Sequence, residues 1–258
     1  MKVLPIACLL ASFLAVKSSL IVYRLNRKSP VNRTFSLFTL SFAASCFCLA
    51  NGSGASSYEM SALWYKINIP FGIFLPGLAL HFSMFLAGKD KTAKHPLVIF
   101  AIYILPVFFI IMMLFFGYFN ADFKQTAWGW DSDIDYFSGY NWLFGILYSI
   151  PNPISVYYIW RWKRQAVNDY QLKQASSLIL PYSSGMISII FNPYFFFIEG
   201  HETLNFLLNM TSVLTFLLFL AGTLRAVKKF NFMKIKPESR IDALLNGIIS
   251  PAMITDIK

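Results

Sequence analysis

The stretch from Ala62 to Leu86, ALWYKINIPFGIFLPGLALHFSMFL, is 25 residues long and carries one full charge, Lys66, near its start. A helix rises about 1.5 Å per residue, so such a run crosses a hydrocarbon core of roughly 30 Å with some tilt. It reads as a membrane span. Pro70 and Pro76 would break a helix exposed to water; in a membrane bundle, neighbouring spans shield and re-satisfy the carbonyls that proline frees. His81 lies deep in the run, so this helix faces protein on at least one side and reads as a central helix.

Six further apolar runs accompany it: Val3 to Val22, Thr34 to Ala50, Leu97 to Phe119, Trp142 to Trp160, Leu178 to Ile198 and Phe206 to Leu224. The expected fold is therefore all-α, a polytopic seven-transmembrane helix bundle. The first run follows Lys2 as a signal peptide would, but its length, its lack of a small-x-small site and the basic cluster Arg24, Arg27, Lys28 and Arg33 read as a retained span. Lys17 reaches the same basic end by snorkelling.

The linkers give an independent reading of topology, because cytoplasmic loops collect Lys and Arg. Residues 23–33, 87–96, 161–177 and 225–240 hold 17 of the 22 basic residues, while 51–61 and 199–205 hold none and 120–140 only Lys124. The amino terminus is expected outside and the carboxyl terminus in the cytoplasm. Composition agrees, with 57% hydrophobic and 13% charged residues and a mean hydropathy of +0.56. The net charge of +10 sits in short loops rather than in one patch, so lipid headgroups account for it and nucleic acid does not. Cys8, Cys46 and Cys48 lie in apolar runs and read as small core residues.

Residues 120–140 combine Asp122, Asp131, Asp133 and Asp135 with Trp128, Trp130, Tyr136 and Tyr140. A Gly between two tryptophans followed by a polar turn predicts a short hairpin capping the bundle. It serves either as a lid that contacts ligand or as an interfacial aromatic belt with a solvated acidic turn. Its DSDID run lacks the Gly and the distal Glu of a calcium loop. Prolines recur inside the runs at 70, 76, 106, 151, 153, 181 and 193, and in Asn152-Pro153 and Asn192-Pro193 an amide stands ready for a freed carbonyl. Hinges and simple packing both explain them.

Several chemistries lack their residues. Paired mid-span carboxylates for proton-coupled transport are missing, as are a lysine in the last run for a retinal Schiff base and a HExxH pair, since His81, His95 and His201 are isolated from one another. No cofactor and no metal site is expected. Position within the bundle nominates Trp64, His81, Trp128, Trp130, Tyr148, Asn152, Tyr182, Asn192, Glu199 and His201 as ligand contacts. For His81 the commoner reading is a neutral side chain satisfied by a neighbour, and for the Glu199 to Glu202 cluster a solvated turn.

In their order and spacing, NRTFSLFTLSFAASCF from Asn32, the third run, the TAWGWDSD cap, RWKRQAVNDYQLKQASSLILPYSSG from Arg161 and the basic exit after Leu224 resemble one family. It is the amino-terminal seven-span sensor region of bacterial membrane histidine kinases, and the resemblance covers residues 1–235. It implies a sensory module of the bacterial inner membrane that relays a signal from outside or within the membrane, carried by a lipophilic or small polar ligand, to cytosolic output, with homodimerisation through the full-length protein. Residues 236–258 are then a cytosolic linker, whose RIDALLNGIISPAMITD resembles the start of a PAS-type module. Phospho-acceptor and nucleotide-binding motifs of a kinase are not in this stretch. The alternatives are a small-molecule transporter or a stand-alone membrane receptor subunit.

Overall fold

A computed structural model describes residues 3–116, 122–126, 128–133, 139–166, 169–195, 202–230 and 233. The helices are α1 (Val3–Leu25), α2 (Pro30–Ser53), α3 (Tyr58–Leu86), the short α4 (Asp90–Ala93), α5 (Pro96–Phe115), α6 (Gly139–Ser149), α7 (Pro151–Arg164), α8 (Asp169–Phe195) and α9 (Glu202–Phe230). Local signals set their starts. Ser29 and Ser57 cap α2 and α3, accepting from the Asn32 and Met60 amides, and Pro30 and Pro96 open α2 and α5, where a missing N–H costs nothing.

Five of these helices are long and apolar enough to cross a membrane: α1, α2, α3, α5 and, over Asn209–Lys229, α9. The other two expected spans look different. The run Trp142 to Trp160 is split into α6 and α7, 11 and 14 residues long. Ile150 between them keeps helical angles, φ −55° and ψ −44°. The break is therefore one of hydrogen bonding, because Pro151 and Pro153 have no N–H for the carbonyls four residues back. The run starting at Leu178 belongs to a helix that begins nine residues earlier on polar residues, and its end at Ile198 lies outside the described residues.

Helix neighbours form a ring. α1 packs along α2, α2 along α3, α3 along α7, α7 along α8, α8 along α9, and α9 returns to α1. At its centre lie Phe35, Phe38, Phe82, Tyr182, Phe216 and Phe219, all buried. Most of their rings meet edge-on or tilted, as in Phe35–Phe82 at 5.6 Å and Tyr182–Phe219 at 5.4 Å between centroids, while Phe38 lies nearly parallel to Phe82 at 6.5 Å. Cys8, Cys46 and Cys48 are free and buried, as expected of small core residues.

α5 stands outside this ring, packed chiefly on α3 and α4, with Phe109 its one buried residue. Leu97, Phe100, Phe115 and Phe116 on it are exposed, as are Leu10 and Phe13 on α1. Water would not tolerate so much contiguous apolar surface, whereas acyl chains solvate it.

The bundle has two distinct ends. At one, the Asn32 amide donates to the carbonyls of Val22 and Met233, joining the α1–α2 turn to the chain after α9, while Val31 packs with Ala93 and Phe85. Arg164 lies 3.5 Å over the Trp160 ring at this basic end. At the other end a hairpin of β1 (Asp122–Thr126) and β2 (Gly129–Asp133) pairs Asp122 with Asp133 and Thr126 with Gly129. This is the expected cap. Gly129 has φ +125°, and a Cβ there would run into the Ser53 carbonyl, so the tryptophan-glycine-tryptophan turn requires glycine.

Candidate functional site

The site begins with two prolines on facing elements. In α3, Pro76 cannot donate to the Gly72 carbonyl, and the Tyr148 hydroxyl on α6 donates to it instead at 3.3 Å. The Tyr182 hydroxyl on α8 reaches the next turn of α3, donating to the Ala79 carbonyl at 3.2 Å. Two of the nominated residues thus fasten α6 and α8 to the central helix through backbone oxygens.

Across the α6–α7 break the polar atoms are less fully paired. The fully buried Asn152 donates its amide to the Tyr148 carbonyl at 3.5 Å, one residue before the Ser149 carbonyl that Pro153 leaves without its helical partner. Among the described residues, Asn152 Oδ1 and Ser149 Oγ are buried without a hydrogen-bond partner. Such groups destabilise a bundle unless something else meets them. Asn192, the counterpart in α8, has its side chain outside the described residues, and so do Glu199 and His201.

His81 is held on both nitrogens, with Nε2 3.0 Å from the Ala93 carbonyl and Nδ1 2.9 Å from the Tyr103 hydroxyl. A carbonyl only accepts, so Nε2 carries a proton, and in the neutral ring Nδ1 accepts from Tyr103. The ring also stacks on Phe85 at 4.8 Å. The histidine is satisfied on both nitrogens and ties α3 to α4 and α5, and it does not line the adjoining cavity.

That cavity is an apolar cleft of about 480 Å³ between α3, α5 and the α6–α7 rod. Ile73, Gly77 and Leu80 line it from α3, Ala101 and Leu105 from α5, and Ile154 from α7. Thr92, Tyr148 and Tyr158 are the hydroxyl-bearing residues on its walls. The volume lies within the usual range for small-molecule sites. Of the nominated residues that are described, only Tyr148 lines it.

The cap holds the remaining aromatic candidates. Trp130 Nε1 donates to the Ala55 carbonyl at 3.0 Å, and Trp128 stacks on Phe206 of α9 at 4.3 Å. Phe123 meets Tyr58 and Tyr65 edge-on. Trp64 packs edge-on against Phe47 at the same end, without reaching the cleft. Trp128 and Trp130 anchor the hairpin to the bundle.

Sequence reasoning missed Tyr103, Gly72, Gly77 and Ser149. Tyr103 had a signal, being the one hydroxyl-bearing side chain in α5. The glycines had none, because their importance comes from what a neighbouring helix places beside them. No protein-family model matches the chain, and no curated protein sequence matches it either.

Proposed function

We propose that the chain is the membrane-embedded receptor module of a signal-transduction protein, the input domain of a bacterial two-component histidine kinase. In this reading all seven apolar runs cross the inner membrane, the hairpin faces outward and the basic end faces the cytoplasm. The receptor acts as a homodimer in its full-length form. Ligand shifts the balance between two helix arrangements, and α9 carries the difference inward.

The observation that carries this reading is the reach of α9. Phe206 near its start stacks on Trp128 of the hairpin, Phe216 and Phe219 sit in the central aromatic cluster, and Ala226 and Val227 pack in that same cluster near the basic end. One continuous helix thus touches the cap, the core and the basic exit. The sequence resemblance set out above supports the kinase part.

The test is to read the gene frame past Lys258 and to assay the full-length product in proteoliposomes for ATP-dependent autophosphorylation. The expected result is a PAS-type module, a phospho-acceptor histidine helix and a phosphorylation rate that Phe206→Ala alters. A frame without kinase modules, or a rate indifferent to changes along α9, overturns the reading.

A further inference from the structure

We propose that the cleft between α3, α5 and the α6–α7 rod holds one acyl chain of an anionic membrane phospholipid, with the headgroup against the lysines of the 89–94 turn. The inference deepens the receptor reading and rests on its membrane placement. It names the chemical class that occupies the cleft.

Length is the first argument. Along α5 the lining runs from Leu97 to Phe109, about 18 Å of helix rise, close to the roughly 15 Å depth of one leaflet's hydrocarbon. Access is the second. α5 packs chiefly on α3 and α4, and the lining residues Leu97, Leu105, Ile150 and Ile154 are exposed, so the cleft opens sideways to where acyl chains lie. It does not close by drawing α5 inward. A Cβ on Gly77 would lie 3.2 Å from Ile102 Cγ2, so the two helices already touch there.

Charge fixes the polarity of the occupant. Thr92 lines the cleft at one end and belongs to the turn that carries Lys89, Lys91 and Lys94 against the single acid Asp90. Lys91 and Lys94 are exposed, and Lys94 Nζ is 3.9 Å from Asp90 in a solvated pair of little energy. Toward the hairpin end, Ile73, Phe109 and Leu147 line the wall, and the hairpin beyond carries Asp122, Asp131 and Asp133 against Lys124. An amphiphile with a negative head and an apolar tail therefore fits in one orientation, head at the lysines. Clusters of basic residues at a membrane surface favour anionic lipid in the same way.

The experiment uses the full chain in phosphatidylcholine vesicles containing a small fraction of phosphatidylglycerol with a photoreactive acyl chain. The expected labels fall on Leu97–Phe109 and on 151–158, and unlabelled phosphatidylglycerol suppresses them severalfold better than phosphatidylcholine. Lys89→Gln, Lys91→Gln and Lys94→Gln together remove that preference. Ala101→Trp and Ile154→Trp fill the cleft from opposite walls, and each lowers labelling there severalfold, leaving labelling of the exposed α1 face at Leu10 and Phe13 unchanged. Label spread evenly over α1 and α5, equal competition by both lipids, indifference to both tryptophans, or α5 crosslinked to a second copy would each overturn the proposal. The readout is lipid occupancy rather than phosphorylation, so this inference and the kinase reading can fail separately.

Discussion

Tyr148 and Gly72 form a repair across two helices. The hydroxyl of one donates, at 3.3 Å, to the carbonyl that Pro76 cannot serve in the other. A proline in a span is tolerable where another helix supplies the lost donor, and here that donor is identifiable.

A double-mutant cycle tests the repair. Tyr148→Phe costs about 0.6 kcal/mol, and at most about 1.7, the range for hydrogen bonds between membrane helices. With Pro76→Ala the helix regains its own N–H for Gly72, so Tyr148→Phe then costs close to nothing. Unfolding of the four proteins in mixed micelles measures the coupling, and additive effects would mean the two residues act independently.

The hairpin depends on one backbone geometry. Gly129→Ala meets both the positive φ and the Ser53 carbonyl, with about 1–3 kcal/mol of strain from the conformation alone. The expected outcome is an undocked hairpin, seen as faster proteolysis within 122–133 and as greater solvent exposure of Trp130 fluorescence. Unchanged cleavage and emission would mean that the Ser53 contact does not hold the cap.

His81 is expected to act as a fastener rather than as a ligand contact. His81→Phe keeps the stacking surface beside Phe85 and removes the bonds to Tyr103 and the Ala93 carbonyl, a loss of about 1–2 kcal/mol. Hydrogen exchange should accelerate in α4 and the first half of α5 and stay unchanged in α8. Uniform acceleration over the bundle would show that His81 supports the whole fold.

Orientation is open to direct measurement, since the three native cysteines are buried. Single cysteines at Asn26, Lys91 and Gln165 should react in intact cells only with a membrane-permeant thiol reagent. Cysteines at Ala55 and Asp131 should also react with an impermeant one. The reverse pattern would invert the bundle and place the lysine turn outside.

Most of the helices were legible because a span must be continuously apolar, and that constraint is written residue by residue. The hairpin was legible from Trp128, Gly129 and Trp130 for a similar reason, since a turn with positive φ selects glycine locally. Other features were not. The sequence treats Leu97 to Phe119 as one more span and says nothing of its place outside the ring, because lipid-facing and protein-facing apolar residues look alike. The run from Trp142 to Trp160 shows its prolines, but not that helical angles persist through Ile150 while hydrogen bonds lapse. Among the nominated residues, His81, Trp130 and Tyr182 bond to backbone carbonyls, as polar groups inside a bundle usually do, and Trp64 and Trp128 pack against Phe47 and Phe206. Of the described ones, Tyr148 alone lines the cleft, and the cleft itself arises from the spacing of α3, α5 and the α6–α7 rod.

The contact between α1 and α9 also sets an order of events. Cys8 and Ala11 of the first helix cluster with Val213 and Leu217 of the last. Chains are synthesised from the amino terminus, so α1, α2 and α3 can assemble early while one side of α1 waits for nearly two hundred more residues to be made. Completion of the bundle is thus tied to arrival of its last segment. A chain that stops before α9 leaves Cys8 and Ala11 without Val213 and Leu217 beside them.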